Sequence, residues 1–286
     1  MRSSRNQSSH LPAQFRKWDV DKRRKALKEL LRSSNLTSQE IRKALGTDKD
    51  MVALADAMVE SAVGYAALPF GICRGLMVDG QTYDVPLVTE EPSVIAAITF
   101  AAGLVARHGG FRTHANPPIT TAQVFLENAR PGAAHEIAAA EPTIRGSLST
   151  VLASMERRGG GYRSMDVRDL PETGLLRVQI HIDVRDAMGA NLANSTAEAA
   201  RPVLEEISGG RCLMAILSNA ADQRLAGASF AVPVSALGRG EVDGEEVARR
   251  IALASDLATE DSARAVTHNK GIMNGITAFM LATGND

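Results

Sequence analysis

The fold class is decided by one stretch of the chain, Arg177-Val-Gln-Ile-His-Ile-Asp-Val-Arg-Asp-Ala-Met-Gly-Ala-Asn191. Its first eight residues alternate polar and apolar side chains, which predicts a strand with one buried face. A helical pattern follows over residues 191–207 and ends at Gly209-Gly210. Gly189 permits close approach of the backbone, and the free N–H groups of a helix start can bind an anion such as a pyrophosphate. The stretch lacks the GxGxxG fingerprint of a Rossmann fold, and a plain strand–turn–helix connection is the alternative interpretation.

The rest of the chain mixes helices and strands without a regular β-α-β alternation, which favours an α+β fold over a doubly wound one. Helices are predicted over residues 19–33, 37–45, 50–65, 94–106 and 244–258, and further strands over 211–217 and 228–234. Asp79-Gly80 predicts a hairpin within residues 72–88. Residues 111–118 are interpreted as a linker, and Met280-Leu-Ala-Thr283 as a strand.

The composition excludes several classes of protein. Of the 286 residues, 44% are hydrophobic and 23% charged, as in ordinary globular proteins, so wholesale disorder is excluded. The net charge of −1 gives no general attraction to nucleic acid. The basic run Lys22-Arg-Arg-Lys25 is interpreted as a solvated helix face rather than an anion-binding patch.

No membrane partner is expected, because the longest apolar run, residues 94–106, is too short to span a bilayer. The first ten residues lack the apolar segment of a signal peptide, so a cytoplasmic protein is expected. The spacing of Cys and His residues predicts no metal site. Cys73 and Cys212 are interpreted as core residues, and His181 as a surface or linker residue.

Three further segments are richer in polar residues and glycine than a packed core requires. In Thr89-Glu-Glu-Pro-Ser93, Glu91 is either a helix cap or a general acid whose pKa the apolar surroundings would raise. The segment 264–275 carries one Arg, one Lys, two Asn and two Gly, a set of donors that suits a carboxylate or an oxyanion. A polar loop with a helix cap is the alternative for this segment. The third segment is the end of the chain, Ala282-Thr-Gly-Asn-Asp286.

Together these segments resemble one family, the soluble bacterial (class II) 3-hydroxy-3-methylglutaryl-coenzyme A (HMG-CoA) reductases. The matching strings occur in the family's order and are Met58-Val-Glu-Ser-Ala-Val-Gly64, Val85-Pro-Leu-Val-Thr-Glu-Glu-Pro-Ser-Val-Ile-Ala-Ala97, Asp183-Val-Arg-Asp-Ala-Met-Gly-Ala-Asn191, Leu217-Ser-Asn219, Thr267-His-Asn-Lys-Gly-Ile-Met-Asn-Gly-Ile276 and Ala282-Thr-Gly-Asn-Asp286. The resemblance implies an NAD- or NADP-dependent, four-electron reduction of HMG-CoA to mevalonate and coenzyme A, in isoprenoid biosynthesis or its catabolic reverse. The alternative is a truncated, non-catalytic relative that binds only acyl-CoA or a dinucleotide.

The resemblance also implies a role for each matched residue. Lys270 stabilises the oxyanion, Glu91 protonates the aldehyde intermediate, and Asp286 links the two. The positions that match the family's substrate site are Ser93, Arg264 and Asn274, and those that match its dinucleotide site are Asp186, Met188, Gly189, Asn191 and Asn219. The choice between NAD and NADP is expected around residues 145–160, where Ser147, Arg157 and Arg158 have side chains suited to a 2′-phosphate.

The same resemblance implies the domain organisation. After a disordered tail of residues 1–14, a large HMG-CoA-binding domain of residues 15–111 and 223–286 carries a smaller dinucleotide-binding α+β domain inserted at 112–222. The family's active site lies between two subunits, with the segment around Glu60 near the junction, so a homodimer or higher homo-oligomer is expected. The family's C-terminal flap with its catalytic histidine is expected to be absent. Ser61 departs from the family, which usually has Asn at this position.

Overall fold

A computed structural model of the chain describes residues 11–31 and 36–285. These residues form a mixture of helices and antiparallel strands, so the mixed fold class is confirmed. They divide into two compact units: the first holds the described residues up to 75, residues 84–101 and residues 246–285, and the second holds residues 76–83 and 102–245. The tail predicted for residues 1–14 lies mostly outside the described residues, and so does Asp286.

The elements follow one another along the chain as a 3-10 helix Ala13–Lys17, α1 Val20–Leu30, α2 Ser38–Ala44, α3 Lys49–Met58, β1 Phe70–Val78, β2 Gln81–Val88, α4 Val94–Ala106, β3 Arg112–Ala115, β4 Ile119–Glu127, α5 Ala133–Ala139, α6 Glu141–Ser147, α7 Ser149–Glu156, β5 Gly161–Leu170, β6 Leu175–Asp183, α8 Ala190–Ser208, β7 Arg211–Ser218, β8 Ala226–Ser229, a 3-10 helix Val234–Leu237, α9 Gly244–Glu260 and α10 Ser262–Ala282. The predicted hairpin at Asp79-Gly80 is confirmed, because β1 pairs with β2 across this turn.

The basic run of α1 does not form a solvated face throughout. Arg23 is only 4% exposed. Its guanidinium donates to the carbonyl oxygens of Trp18 at 3.0 Å and Ala62 at 2.8 Å, and it forms an ion pair with Asp56. A buried charge is tolerated only when it is paired in this way, so Arg23 ties α1 to α3 and to the chain that follows α3. The interpretation of the whole run as a solvated face is therefore wrong at this position.

The second unit is built on a four-stranded sheet of order β5-β6-β4-β7, with all neighbours antiparallel. Helices α5, α6, α7 and α8 pack on one of its faces and close a hydrophobic core, whose fully buried members include Val124, Ile144, Val178, Ile180 and Leu204. The order of the elements is that of a split β-α-β arrangement. Because β4 is antiparallel to both β6 and β7, these two strands run in the same direction, and their carboxyl ends lie at the same end of the sheet.

Residues 111–118 are more than a linker, because they contain strand β3. This strand pairs with β8 from Arg112 opposite Ser229 to Ala115 opposite Ala226. The strand predicted over 228–234 thus lies slightly earlier in the chain. The pairing joins the segment that leads into the four-stranded sheet to the segment that leaves it.

Helix α10 contradicts two expectations. It is continuous over Ser262–Ala282, so the strand interpretation of Met280–Thr283 is wrong, and so is the polar-loop alternative for residues 264–275. Gly271 and Gly275 lie inside this helix despite their low helix propensity. The predicted third helix is also shorter than expected, since α3 ends at Met58.

Helix α4 has the predicted bounds, but it is less buried than its apolar pattern indicates. Only Ala102 and Val105 of this helix are buried, and Phe100 is 51% exposed. An apolar pattern all round a helix indicates that it is covered in the functional protein. In the described part of this chain, other residues cover only part of the α4 surface.

Candidate active site

The first cluster of predicted site residues lies in the first unit, where the chain passes from β2 to α4. Glu91 sits in the loop between them, and its backbone N–H donates to Thr89 Oγ1 at 3.2 Å. Ser93 precedes the first residue of α4 and adopts a left-handed backbone with φ +71°. This conformation is uncommon for a residue other than glycine, and such local strain is often found at functional sites. The carbonyl oxygen of Ser93 accepts from the Ala97 N–H at 2.8 Å, which starts the helix.

Helix α10 brings two of the predicted residues to Glu91. Lys270 and Asn274 are four residues apart and therefore share one face of the helix. Lys270 Nζ donates to Glu91 Oε2, and Asn274 Nδ2 donates to the same oxygen at 3.1 Å. The ion pair is accessible, with the side chains of Lys270 and Glu91 exposed by 60% and 44%. The apolar burial expected around Glu91 is therefore not found in this chain.

A cavity of about 270 Å³ adjoins this cluster in the first unit. Its lining residues come from the loop before α4, from the first turns of α4, and from two glycines of α10: Pro92, Ser93, Val94, Ala97, Ile98, Gly271 and Gly275. A side chain at Gly275 would come within 3.4 Å of the end of the Ile98 side chain, so glycine leaves this space open. Gly271 of the cavity wall directly follows Lys270 in the chain.

Arg264 belongs to the same face of α10 as the cavity glycines. It precedes Gly271 by seven residues, which is two helical turns or about 10 Å. Asp261 caps the helix and accepts from the Arg264 backbone N–H at 2.6 Å. No carboxylate among the described residues pairs with the Arg264 guanidinium, so this cation is available to a ligand. Asp286, the third predicted catalytic residue, lies outside the described residues.

The second cluster lies wholly in the second unit, where β6 leads into α8. Gly189 directly precedes α8 and has φ +97°, a conformation that favours glycine. A Cβ at this position would also come within 2.8 Å of the buried Val184 side chain. No side chain caps α8, so the N–H groups of its first turn face outward without a side-chain partner. This is the arrangement that binds phosphate groups.

The sheet topology brings the remaining predicted residues to this helix start. Asp186, Met188 and Asn191 follow β6 and are exposed, and Asn219 directly follows β7 and is exposed. Since the carboxyl ends of β6 and β7 lie at the same end of the sheet, these four residues share that end with Gly189. Predicted dinucleotide residues that are widely separated in sequence are thus gathered at one place.

Two arginines outside the predicted set of site residues stabilise this segment. Arg224 donates to the carbonyl oxygens of Met188 at 2.9 Å and Ala187 at 3.2 Å and so holds the backbone before α8. Arg163 forms an ion pair with Asp183 at 2.7 Å. No local pattern marks either residue, because their partners are distant in sequence.

Asp183 is a buried acid at the end of β6, with its side chain only 3% exposed. Burial opposes its ionisation, but the N–H of Arg185 and the guanidinium of Arg163 outweigh this effect and lower the pKa of Asp183. The carboxylate form is therefore favoured, and it fixes the backbone at the point where the strand ends.

His181 is not the surface or linker residue that was predicted, since it is only 8% exposed. Its Nδ1 lies 3.0 Å from Thr121 Oγ1, and its Nε2 lies 3.1 Å from Asp166 Oδ2. These three residues come from the adjacent strands β4, β6 and β5. Their hydrogen bonds connect the strands on the face opposite the helical layer.

The remaining expectations concern metals, membranes and cysteines. The described part of the chain gathers no group of three or more His, Cys, Asp or Glu side chains that could hold a metal ion. No helix within residues 11–31 and 36–285 combines the length and the hydrophobicity that a membrane span requires. Cys73 is buried, as predicted, and Cys212 is partly buried against the core of the second unit.

Comparison with known proteins identifies relatives over most of the chain. A family model described as hydroxymethylglutaryl-coenzyme A reductase matches residues 19–286. The 3-hydroxy-3-methylglutaryl-coenzyme A reductase of Archaeoglobus fulgidus is 36% identical over 286 residues, covering 99% of this chain and 63% of that protein. A probable reductase of the same name from Borreliella burgdorferi is 35% identical over 229 residues, covering 80% of this chain and 53% of that protein. The chain thus spans roughly three fifths and one half of the lengths of these relatives.

Solved structures of the Streptococcus pneumoniae 3-hydroxy-3-methylglutaryl-coenzyme A reductase are also similar. One is 39% identical, with a TM-score of 0.78, and the match covers 96% of this chain and 74% of that one. Another, with the same identity and TM-score, is titled as the class II enzyme bound to NADPH in open conformations.

Proposed function

The chain belongs to the hydroxymethylglutaryl-coenzyme A reductase family, and on that premise we propose that it carries the catalytic groups for the NAD(P)H-dependent reduction of HMG-CoA to mevalonate and coenzyme A. The observation that carries this proposal is the contact of Lys270 and Asn274 with Glu91, from segments 179 residues or more apart in sequence. A cation and an amide in contact with one carboxylate, next to residues that line an open cavity, suit the reduction of a carbonyl group.

Lys270 stabilises the charge that develops on the thioester oxygen. An ammonium group has three N–H donors, and one of them is directed to Glu91. Two donors therefore remain for an oxyanion that forms when the carbonyl carbon is reduced. Removing one such donor from a closed site typically costs roughly 3–4 kcal/mol of transition-state stabilisation.

Glu91 is the proton donor to the aldehyde oxygen in the second reduction. Lys270 and Asn274 both donate to Glu91 Oε2, so they fix the position of the carboxyl group. We propose that Asp286 acts together with these two residues in catalysis, as the family resemblance implies.

The substrate's own polar groups are bound by Arg264, Ser93 and Asn274. The Arg264 guanidinium has no carboxylate partner among the described residues, and a guanidinium binds a carboxylate through two parallel hydrogen bonds. Arg264 therefore suits the terminal carboxylate of HMG-CoA. Ser93 lines the cavity and offers a hydroxyl to the substrate hydroxyl.

The dinucleotide is held by Asp186, Met188, Gly189, Asn191 and Asn219, at the carboxyl ends of β6 and β7. The uncapped start of α8 suits its pyrophosphate, and the Asp186 carboxylate suits a ribose hydroxyl. When bound, the reduced nicotinamide supplies the hydride equivalents of both reductions. A solved relative was bound to NADPH, which supports a nicotinamide cofactor for this chain as well.

We further propose that the second unit contains the inserted dinucleotide-binding domain, of about residues 112–222, and that the chain forms a homodimer or higher homo-oligomer. Exposed apolar side chains on the first unit support association. They include Phe100, Ile251, Leu257, Val266, Ile272 and Phe279, each at least 42% exposed. A second copy that covered them would also bury part of α4, in agreement with its apolar pattern.

The proposal is tested by the oxidation of NADPH and of NADH by the purified chain in the presence of HMG-CoA. We expect the Lys270→Ala variant to lower turnover by about 10²–10³-fold, because the oxyanion loses its cation. Lys43→Ala is the matched control, since Lys43 is an exposed lysine on α2 outside the cluster, and its turnover should equal that of the wild type. Near-normal turnover in Lys270→Ala would contradict the assigned role. Cofactor binding without any oxidation would favour the non-catalytic alternative.

A further inference from the structure

A cavity among the first three α-helices, within the first unit, is lined by an excess of cations. Its volume is about 510 Å³, which is in the usual range of small-molecule sites. Five cationic side chains and one carboxylate line it: Arg24, Lys25 and Lys28 of α1, Arg42 of α2, Lys49 of α3, and Asp21. We propose that this cavity binds a compact polyphosphate, an anion of two or more linked phosphate groups. The cavity shares no residue with the sites of the proposed function, and the inference does not depend on them.

The helices bring these charges together. Arg24 and Lys28 are one helical turn apart and Lys25 follows Arg24, so neighbouring positions on one side of α1 carry all three. Lys49 is the first residue of α3, the helix that Arg23 ties to α1. The basic run of α1 therefore contributes to an anion-binding patch rather than only to a solvated face.

Arg24 supplies a fixed positive charge. One terminal nitrogen donates to the carbonyl oxygens of Val63 at 2.9 Å and Leu45 at 3.3 Å, and the other donates to the Gly46 carbonyl oxygen at 2.8 Å. All three partners are neutral, and no carboxylate among the described residues forms an ion pair with Arg24. A partly buried guanidinium without a counter-charge is unfavourable, and an anion in the cavity would supply that counter-charge.

The acids at the starts of α2 and α3 are used in the local structure of these helices. Asp48 caps α3, and its Oδ1 accepts from the N–H groups of Asp50 at 2.9 Å and Met51 at 3.0 Å. Glu40 accepts from the Thr37 N–H at 2.7 Å in the capping box of α2. None of these acids lines the cavity, and in the part of the chain that the structure describes no lining lysine or arginine has a carboxylate partner. The excess positive charge is therefore available to a ligand.

The lining determines the chemistry of the ligand. Guanidinium and ammonium groups bind phosphate oxygens through charge-assisted hydrogen bonds. Because the cations come from three helices, an anion of several linked phosphates can contact more of them than a single phosphate can. The described residues that line the cavity include no aromatic side chain on which a nucleobase could stack. The net charge of −1 gives no general attraction to nucleic acid or anionic lipid, so a small polyphosphate is the ligand that fits.

The test is isothermal titration calorimetry of the purified chain with sodium tripolyphosphate, in buffer without divalent cations. We expect tripolyphosphate to bind at least about tenfold more tightly than inorganic phosphate, and its affinity to fall as salt is added. Lys28→Gln and Lys49→Gln remove one charge from α1 and one from α3, and each should weaken binding by about three- to tenfold. Arg24 is left unchanged in these variants, because its three hydrogen bonds stabilise the fold.

Lys43→Gln is the matched control. Lys43 is exposed and belongs to α2, but it does not line the cavity. Its replacement lowers the net charge of the chain by the same amount as the two test variants. The affinity for tripolyphosphate should therefore equal that of the wild type.

Four results would overturn the proposal, and none of them contradicts the reductase proposal, whose test is turnover. Tripolyphosphate that binds no more tightly than phosphate would show that the cations do not form a site. Equal weakening by Lys43→Gln and Lys28→Gln would assign the effect to net charge rather than to the cavity. Displacement of tripolyphosphate by coenzyme A would assign the cavity to the substrate site of the proposed function. Binding of the wild type to phosphatidylserine vesicles, but not to tripolyphosphate, would identify a lipid surface as the partner instead.

Discussion

Substituting Gly189 by alanine adds one methyl group where β6 leads into α8, so its effect on stability tests how tightly the candidate dinucleotide site is packed. Its φ of +97° costs an alanine about 1–2 kcal/mol relative to glycine. The added Cβ would also lie 2.8 Å from Val184 Cγ1, and Val184 is fully buried, so the core must shift to make room. Overpacking of this kind costs about 1–3 kcal/mol. Gly189→Ala should therefore lower the free energy of unfolding of the second unit by about 2–5 kcal/mol.

Two other glycines separate these contributions. Gly174 has φ +70° but no atom within 4 Å of an added Cβ, so Gly174→Ala should cost only the backbone term of about 1–2 kcal/mol. Gly146 lies in α6 without a positive φ and with the same open space. Gly146→Ala should therefore stabilise the protein by about 0.5–1 kcal/mol.

The assay is urea-induced unfolding followed by circular dichroism, with hydrogen exchange of residues 175–208 to locate the effect. The reasoning is refuted if Gly189→Ala unfolds within about 0.5 kcal/mol of the wild type, which is the usual size of a neutral surface change. It is also refuted if Gly189→Ala and Gly174→Ala are equally destabilised, because the overlap with Val184 would then contribute nothing.

Three further predictions concern single side chains. Asp183→Asn should lower the free energy of unfolding by about 1–3 kcal/mol near pH 7, since it removes the partner of Arg163. Because the folded-state pKa of Asp183 is lowered, the stability that this carboxylate contributes is present above about pH 4 and is lost on further acidification. The unfolding curves of the wild type and the variant should therefore converge in acid. Tyr162→Phe should lower the free energy of unfolding, measured in urea, by about 1–2 kcal/mol, because the buried hydroxyl donates to Glu141 at 2.6 Å. An unchanged free energy of unfolding would mean that this hydrogen bond does not stabilise the fold. Ser61→Gly should raise the melting temperature and stabilise the folded state by about 0.5–1 kcal/mol, because Ser61 has φ +62°, a backbone conformation that strains a residue with a side chain. A lower melting temperature would show that this backbone conformation is not strained.

Features that depend on neighbours in sequence were predictable. The alternation in residues 177–184 predicts which side chains of β6 face the core. Val178, Ile180 and Ile182, which it assigns to the core, are completely buried. Thr37 and Glu40 form the capping box that their spacing of three predicts. These features arise within a few residues, so local rules are sufficient.

Features that depend on distant packing were not predictable. The segment 264–275 contains glycine and asparagine, which disfavour helix, yet it lies inside α10 because a helix there packs against α4 near Ile98. His181 occupies a position that alternation assigns to the outer face of β6. Only the structure shows that Thr121 of β4 lies opposite it and that Asp166 of β5 hydrogen-bonds to it. In both cases the missing information is the identity of the neighbouring element.

The candidate dinucleotide site illustrates how topology, rather than a motif, assembles a binding surface. Residues 186–191 and Asn219 belong to separate segments, and neither segment has a specific fingerprint alone. They meet because β4 inserts between β6 and β7 and makes these two strands run in the same direction. The uncapped start of α8 lies at that same end, and so does the turn that carries Arg185. One strand order therefore places an uncapped helix start, an exposed acid and an exposed arginine at the same end of the sheet.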